Sequence, residues 1–415
     1  MRIYSNLLTL FFLIVSFPPF FSGAPYLKFG LQLIIIIVFL NTKSLNNLLR
    51  DEKNLFFDFA IYFYIAGISI GGLFNLQFQT SLIYSILYFF RFYFYKELLK
   101  KINLINIFDS LVIGFNFSAL IGLFFDRNSQ FLLIKLLNPN TNVASNRLYL
   151  LGSHPNYLGI SAGLIIIYLL IRIINEQFSN EVIDFEKNKF CKFNSLLGYI
   201  FLILDLFLLY ACNTRSAYLA IFCALLPVFI RVIKNFYNIY NKYKIFYYLF
   251  VGLLIGNFTK LQSFINRNIT LFEDKYRGAS TGLTGRIDIW IDILEKIGPI
   301  GFGYGRNVLG EKLLIIDSQW LFSSYIAGIV FTFPLFLFLI YFVVKAFFNI
   351  FNISNNIFSQ LEAEITFGVG IFILIQTFLD QQTFGLTSPI STIFIMLPKL
   401  TLDISKKNEL NYKNL

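Results

Sequence analysis

Charged residues are scarce in the 415-residue sequence: Asp, Glu, Lys and Arg make up 14% of it, whereas hydrophobic residues make up 57%. The mean hydropathy is +0.67. A water-soluble domain could not bury this much apolar surface, so the composition excludes one. The chain also has a single histidine and three scattered cysteines, Cys191, Cys212 and Cys223. Without clustered carboxylates beside them, the sequence predicts neither a disulfide framework nor a transition-metal site.

Alternating apolar segments, internal repeats and low-complexity linkers are missing as well. The apolar runs are instead continuous, as in residues 31–40, 158–171 and 330–344. Hydrocarbon offers no water to backbone amides, so continuous runs predict membrane-spanning helices, whereas a barrel would need alternating segments. The sequence therefore predicts an all-α integral membrane protein in which residues 1–415 form a single polytopic domain.

The apolar runs predict about twelve transmembrane helices, if ~20 residues make one crossing. Their centres lie near Leu13, Ile35, Tyr64, Tyr88, Phe115, Ile165, Ile203, Ala224, Leu249, Leu335, Ile373 and Phe394. An even number puts both termini on one side. The short loops on that side carry most of the Lys and Arg residues, which assigns it to the cytoplasm. The net charge of +11 is thus interpreted as a topology signal, and no nucleic-acid partner is expected.

The N-terminal segment has Arg2 followed by an apolar run up to Ala24 and could pass for a signal peptide. The many spans that follow favour a retained first span instead. Two segments predicted to lie outside are longer than turns. They are residues 126–156, between the fifth and sixth spans, and residues 257–318, between the ninth and tenth. Function is expected in such loops.

The long outer loop is predicted to be partly helical. Residues 286–297 have the period of an amphipathic helix, with Thr284 as a candidate N-cap and Gly298-Pro299 ending it. The predicted apolar face consists of Ile287, Trp290, Ile291 and Leu294. We expect this helix to pack on the protein or lie along the membrane surface. The glycine-rich residues 301–306 lack the sequence context of a nucleotide loop and predict a turn against that surface.

Two arginines on the outer side are candidate anion ligands. Arg286 falls in the first turn of the predicted loop helix, where backbone amides and a guanidinium can hold phosphate oxygens. A salt bridge to Asp288 is the structural alternative. Arg215 lies in Asn213-Thr214-Arg215-Ser216 at the start of the eighth span, where it could also be an interfacial anchor. Two cations at this depth would suit a lipid diphosphate.

Two other polar residues precede outer ends of predicted spans. Asp317 begins the segment Asp317-Ser318-Gln319-Trp320-Leu321 before the tenth span, where it could act as a general base for a hydroxyl group or cap the helix. His154 lies in Gly152-Ser153-His154-Pro155-Asn156 before the sixth span, where Pro155 suits the first helical turn. For His154 a structural role is the simpler interpretation.

The order of these segments resembles the O-antigen polymerase/O-antigen ligase superfamily of bacterial envelope glycosyltransferases. The resemblance is carried by the segments around His154, Arg215, Arg286 and Asp317, with Trp290, residues 298–303 and Gly328. It implies a multi-pass protein of the bacterial inner membrane whose outer loops, including residues 257–318, are periplasmic. It also implies action on undecaprenyl-diphosphate-linked glycans without a metal, a nucleotide sugar or any cofactor.

The resemblance also implies roles for the candidate residues. Arg215 and Arg286 would bind and neutralise the diphosphate leaving group, and Asp317 would be the catalytic base. The residues expected to line the site are His154, Trp290 and Trp320. Ligases of the superfamily have a catalytic histidine, in a His-Asn-x-aromatic-Leu setting, where this chain has Asp317. A polymerase of repeat units for O-antigen, capsule or exopolysaccharide therefore fits better.

Two alternatives stay open. One is a ligase that transfers glycan to an envelope acceptor, with Asp317 in place of the histidine. The other is a flippase or transporter of the lipid-linked glycan, which would favour ionisable groups along a central path. Asp205 is the only acid well inside a predicted span. The expected partners are a lipid-linked oligosaccharide and membrane lipids, with a chain-length regulator and a flippase as candidate protein partners.

Overall fold

The computed structural model describes residues 2–16, 55–99, 104–126, 155–178, 195–234, 282–303, 318–351 and 357–380, with isolated positions 31, 34, 129, 130, 148, 393, 394, 396 and 397. Within these residues the chain is helical and contains no β-strand. The described helices are α1 (Arg2–Ser16), α2 (Leu55–Phe74), α3 (Phe78–Leu99), α4 (Leu104–Phe125), α5 (Pro155–Phe178), α6 (Ser195–Cys212), α7 (Arg215–Lys234), α8 (Gly282–Leu294), α9 (Gln319–Ala327), α10 (Ile329–Phe351) and α11 (Ile357–Leu379).

Seven of the described helices are long and apolar enough to cross a membrane. The candidate spans are Phe57–Phe74, Leu104–Phe125, Pro155–Glu176, Ser195–Cys212, Arg215–Val232, Ile329–Ile350 and Gln360–Leu379. Large apolar side chains are exposed along them, for example Phe124, Leu206 and Phe333. Water would penalise such surfaces and lipid would not. These helices confirm the prediction of an α-helical, multi-pass membrane protein.

The count of twelve spans stays a prediction. Helices α1 and α3 lie at predicted span positions, around Leu13 and Tyr88, but are not among the seven candidate spans. The spans predicted near Ile35, Leu249 and Phe394 fall mostly or wholly outside the described residues. The loop predicted for residues 257–318 is described only in part, at residues 282–303 and at residue 318.

Buried ion pairs join one end of the bundle. Arg172 Nη1 on α5 lies 2.8 Å from Asp109 Oδ1 on α4, and its Nε lies 2.8 Å from Glu176 Oε1. The Tyr168 hydroxyl also donates to Asp109 Oδ1 at 2.6 Å. A buried charge costs several kcal/mol unless it is paired and hydrogen-bonded, and here each charge has such partners.

A second pair extends this group across α7 and α11. Arg231 Nη2 lies 2.9 Å from Glu364 Oε2, and the same oxygen accepts a hydrogen bond from Asn175 Nδ2 at 2.9 Å. We call this region the ion-pair end, defined by Asp109, Arg172, Glu176, Arg231 and Glu364. It brings the starts of α4 and α11 beside the ends of α5 and α7. Helices α4 and α11 therefore run antiparallel to α5 and α7, which agrees with the directions expected if the predicted spans cross the membrane one after another.

The tenth span differs from its prediction, because the chain breaks at Gly328. We expected one helix continuing from Asp317-Ser318; instead α9 ends at Ala327 and α10 begins at Ile329. Gly328 has φ +98°, a conformation that L side chains rarely adopt. A Cβ at this position would also collide with the Pro299 carbonyl oxygen. The short α9 is therefore a separate element.

The glycine segment of residues 301–303 is buried, which corrects the predicted turn against the membrane surface. Gly301 and Gly303 have no room for a Cβ, because they contact the α9–α10 break on one side and the end of α2 on the other. The amides of Phe302 and Gly303 donate to the carbonyls of Tyr325 and Ile326, at 2.8 and 2.9 Å. They thereby satisfy carbonyls at the end of α9 that have no donor within the helix.

Candidate substrate site at the α11 junction

Arg215 is the first residue of α7, as predicted. The tight turn before it contains Asn213, whose φ of +46° lies in the left-handed region that asparagine tolerates. The Asn213 amide closes the end of α6 by donating to the carbonyls of Leu209 and Tyr210, both at 3.1 Å. Arg215 is half-buried at the N-terminus of a helix, where the positive end of the helix dipole favours an anion.

Two of the segments singled out in the sequence meet beside this turn. Thr214 Oγ1 donates to the carbonyl oxygen of Pro155, the first residue of α5, at 3.4 Å. Gly159 makes this approach possible, since a Cβ there would collide with the Thr214 side chain. The Leu148 amide in addition donates to the Ala211 carbonyl at 2.9 Å. The start of α5 and the start of α7 thus form one packed unit. His154 itself lies outside the described residues.

The loop helix predicted for residues 286–297 is confirmed as α8, but it begins and ends three or four residues earlier. Its packed face is centred on the fully buried Ile293, whereas Ile287, Ile291 and Leu294 of the predicted apolar face are exposed. Trp290 is half-buried, and its indole Nε1 has no hydrogen-bond partner among the described residues. The backbone of Arg286 lies within α8 one turn from its start, so the predicted first-turn position is wrong, and Thr284, predicted as the N-cap, lies inside the helix. The side chain of Arg286 lies outside the description.

Trp320 is buried between α9, α10 and α11. Its indole Nε1 donates to Thr377 Oγ1 on α11 at 2.8 Å, and its ring meets Phe336 edge-on with centroids 4.6 Å apart. The residue before α9 is Ser318, which occupies the N-cap position without a side-chain cap bond. Asp317, predicted as either a general base or the helix N-cap, lies outside the described residues. Because Ser318 occupies the N-cap position, the capping alternative for Asp317 is wrong.

The buried face of α9 is polar as well as aromatic. Gln319 Nε2 donates to Ser323 Oγ at 3.0 Å, and the Tyr64 hydroxyl of α2 donates to the same oxygen at 3.3 Å. All three residues are buried. A membrane helix that buries polar groups needs partners on other helices, and α9 finds them on α2 and α11.

Helix α11 connects the two regions. It packs against α5 and α7 on one side and against α9 and α10 on the other. Near its end lie Gln376 and Thr377, both buried. We call this region the α11 junction, defined by Pro155, Thr214, Trp320, Gln376 and Thr377.

Sequence reasoning missed Gln376 and Thr377. The available signal was two successive polar residues near the end of the apolar run 371–379. Of the predicted site residues, the structure assigns Arg215 and Trp320 to helices that both pack on α11. Within the described part of the chain, no group of three or more His, Cys, Asp or Glu residues could hold a metal ion.

Taken together, the apolar spans, the ion-pair end and the polar α11 junction define a multi-pass α-helical membrane protein with buried polar groups near both ends of its bundle. No model of a known protein family matches the chain, and no curated protein matches it either. The resemblance to envelope glycosyltransferases is therefore carried by the motif segments alone.

Proposed function

We propose that the protein is a membrane glycosyltransferase that polymerises undecaprenyl-diphosphate-linked oligosaccharide repeat units at the periplasmic face of a bacterial inner membrane. The observation that carries the proposal is the α11 junction. Three of the segments that resemble the O-antigen polymerase/ligase superfamily begin at His154, Thr214 and Asp317, and α11 contacts the helix that begins within each of them. Segments far apart in sequence would need such a common neighbour to act on one substrate.

The proposed reaction is a direct displacement. A hydroxyl oxygen at the non-reducing end of one repeat unit attacks the anomeric carbon of the reducing-end sugar on another lipid-linked chain. The bond from that carbon to the diphosphate oxygen breaks, and undecaprenyl diphosphate leaves with the electron pair. Asp317 accepts the hydroxyl proton, while Arg215 and Arg286 neutralise the charge that develops on the leaving diphosphate. No metal or nucleotide takes part.

Arg215 suits this role because of where α7 begins. A guanidinium can donate to phosphate oxygens, the positive end of the helix dipole attracts their negative charge, and a half-buried position strengthens both effects. Thr214 and the turn at Asn213 fix this helix start against α5. The leaving diphosphate would thus bind beside Arg215, on a helix start whose position is fixed by packing against α5.

Reconstitution of the purified protein with lipid-linked repeat units extracted from the producing cells tests the proposal. We expect polymer and free undecaprenyl diphosphate to form together. Arg215→Gln should lower the rate by about 100-fold or more, since it removes charge stabilisation in the transition state. Arg215→Lys should retain more activity, because it keeps the charge and loses only the fork geometry.

A matched control removes a cation from the opposite end of the bundle. Lys345 lies towards the end of α10, with its Nζ 5.9 Å from the centroid of the Tyr341 ring. Lys345→Gln should polymerise within about twofold of the wild-type rate, because this half-buried lysine lies at the end of α10 far from the α11 junction. Wild-type activity in a folded Arg215→Gln protein would refute the assignment of the arginine. Failure of the wild type to make polymer would refute the function.

A further inference from the structure

Gln376 is buried to 1% exposure near the end of α11, and neither polar atom of its side-chain amide has a hydrogen-bond partner among the described residues. An amide buried in this way loses the solvation of a donor and an acceptor without compensation. Most buried polar side chains in proteins are satisfied. The neighbouring Thr377, in contrast, both accepts from Trp320 and donates to the Leu374 carbonyl. Among the described residues, the side-chain amide of Gln376 is thus the polar group of the α11 junction whose hydrogen bonds are not satisfied.

The register of α11 indicates which way Gln376 faces. Phe372 lies one helical turn before it on the same face. A Cβ at Gly163 of α5 would lie 3.1 Å from the Phe372 ring and 3.3 Å from Ala217 Cβ of α7, so these three residues share one level. Because α7 runs antiparallel to α11, the next turn of α11 is level with the start of α7. Gln376 therefore faces the region where Arg215 begins its helix.

The unpaired side-chain amide of Gln376 determines which chemical groups it can bind, because it offers both a donor and an acceptor. A bare phosphate could accept from Nε2 but would leave Oε1 without a donor, and a cation would leave Nε2 without an acceptor. A hydroxyl or acetamido group donates and accepts, so it satisfies both atoms. Such groups are abundant on sugars and absent from the lipid tail and the diphosphate.

We propose that Gln376 binds a hydroxyl or acetamido group of the sugar next to the diphosphate in the lipid-linked substrate. This inference rests on the proposed function and deepens it, because it assigns a residue to the glycan in addition to those assigned to the leaving group. Gln376 holds the sugar beside the diphosphate bound at Arg215. It is a substrate-binding residue and takes no part in proton transfer.

The test is Gln376→Met, which keeps the length of the side chain and removes both polar atoms. Since the protein loses no hydrogen bond, the thermal midpoint in detergent should stay the same or rise. In the reconstituted assay with lipid-linked repeat units from the producing cells, KM should rise about tenfold or more.

Gln319→Met is the matched control. Gln319 is equally buried, at 1% exposure, but its amide donates to Ser323. Its replacement should lower the thermal midpoint, which shows that the measurement detects a lost hydrogen bond. The contrast between the two glutamines separates a ligand-binding role from a structural one.

Three results would overturn the inference. An unchanged KM in Gln376→Met would remove the residue from the glycan site and leave the proposed polymerase intact. A lowered thermal midpoint or failure of this variant to fold would make Gln376 a structural residue, satisfied by an ordered water. If the wild type neither binds nor polymerises the lipid-linked repeat units, the proposed function fails and the inference fails with it.

Discussion

Asp205 lies in the middle of α6 with no exposed surface. One carboxylate oxygen accepts a hydrogen bond from Asn116 Nδ2 on α4 at 3.2 Å, and the other has no partner among the described residues. The acids of the ion-pair end differ, because Asp109 and Glu364 each face an arginine. An acid inside a membrane span is by default a candidate for transport of ions or protons. Asp205 is therefore the residue that best separates a flippase or transporter from an enzyme.

Replacing Asp205 by asparagine keeps its shape and an acceptor for Asn116. For a glycosyltransferase that acts at the α11 junction, we expect Asp205→Asn to leave the polymer yield within about twofold. The free energy of unfolding should change by about 1 kcal/mol or less, the size of one interhelical hydrogen bond. Gel analysis of envelope glycans and a thermal melt in detergent measure the two quantities.

Arg215→Gln, expressed in the same cells, supplies the inactive reference for the gel. If folded Asp205→Asn protein lost activity as completely as Arg215→Gln, the transporter alternative would gain over the polymerase. Retained activity would leave Asp205 as a polar contact between α4 and α6.

At the scale of elements, the distinctive feature is the break between α9 and α10. Gly328 ends α9, and residues 301–303 lie against that end, where the amides of Phe302 and Gly303 donate to the carbonyls of Tyr325 and Ile326. Irregular backbone of this kind is tolerated in membrane proteins where other protein covers it. Here α2, α3 and the end of α9 provide the cover, and α9 carries the Trp320 side chain that donates to Thr377 on α11.

A Gly328→Ala variant tests how much the fold depends on this break. The added Cβ would require a strained φ and would collide with the Pro299 carbonyl, so we expect a loss of about 2–3 kcal/mol. In detergent, the thermal midpoint should fall by several degrees and the protein should elute as a broader peak.

Gly370→Ala provides the comparison within a regular helix. A Cβ there would approach Val343 Cγ2 at 3.2 Å and has no backbone atom closer than that. Alanine also favours helix over glycine by up to about 1 kcal/mol. We therefore expect a midpoint close to the wild type. Equal loss in both variants would mean that added volume matters and that the backbone conformation at Gly328 does not.

At the scale of the whole molecule, buried polar groups cluster near both ends of an apolar bundle, with the Asp205–Asn116 contact between them. The ion-pair end fixes α4, α5, α7 and α11 to one another, and the α11 junction lies towards their other ends. The side surfaces between these ends expose large apolar side chains. This distribution suits a protein that contacts lipid at its sides and acts at one end.

The predicted topology puts the ion-pair end in the cytoplasm and α8 outside. Single cysteines can test this in a background without Cys191, Cys212 and Cys223. Glu295→Cys, exposed after α8, should react with a membrane-impermeant maleimide on intact spheroplasts. Ser195→Cys, exposed at the start of α6, should react only after lysis. The reverse pattern would invert the topology and place the α11 junction in the cytoplasm.

The sequence alone determined the class of protein and several helix starts, because these depend on local properties. A continuous apolar run predicts a span wherever it lies, and the spans around Phe115, Ile165 and Ile373 were found as predicted. Pro155 and Arg215 began their helices as their neighbours indicated. The helix of residues 286–297 followed from its period, although its packed face did not, since the surface available to Ile293 is set by other helices.

Only the tertiary structure decided how the helices are combined. Tyr64 and Ser323 are 259 positions apart in sequence, and Asn175 and Glu364 are 189 apart. No local pattern specifies such pairs, because each depends on the register and rotation of two packed helices. The same holds for Gln376: its polarity is visible in the sequence, but its burial without a partner is a property of the packing. The membrane class thus follows from local hydrophobicity along the sequence, whereas the candidate site depends on how the helices pack together.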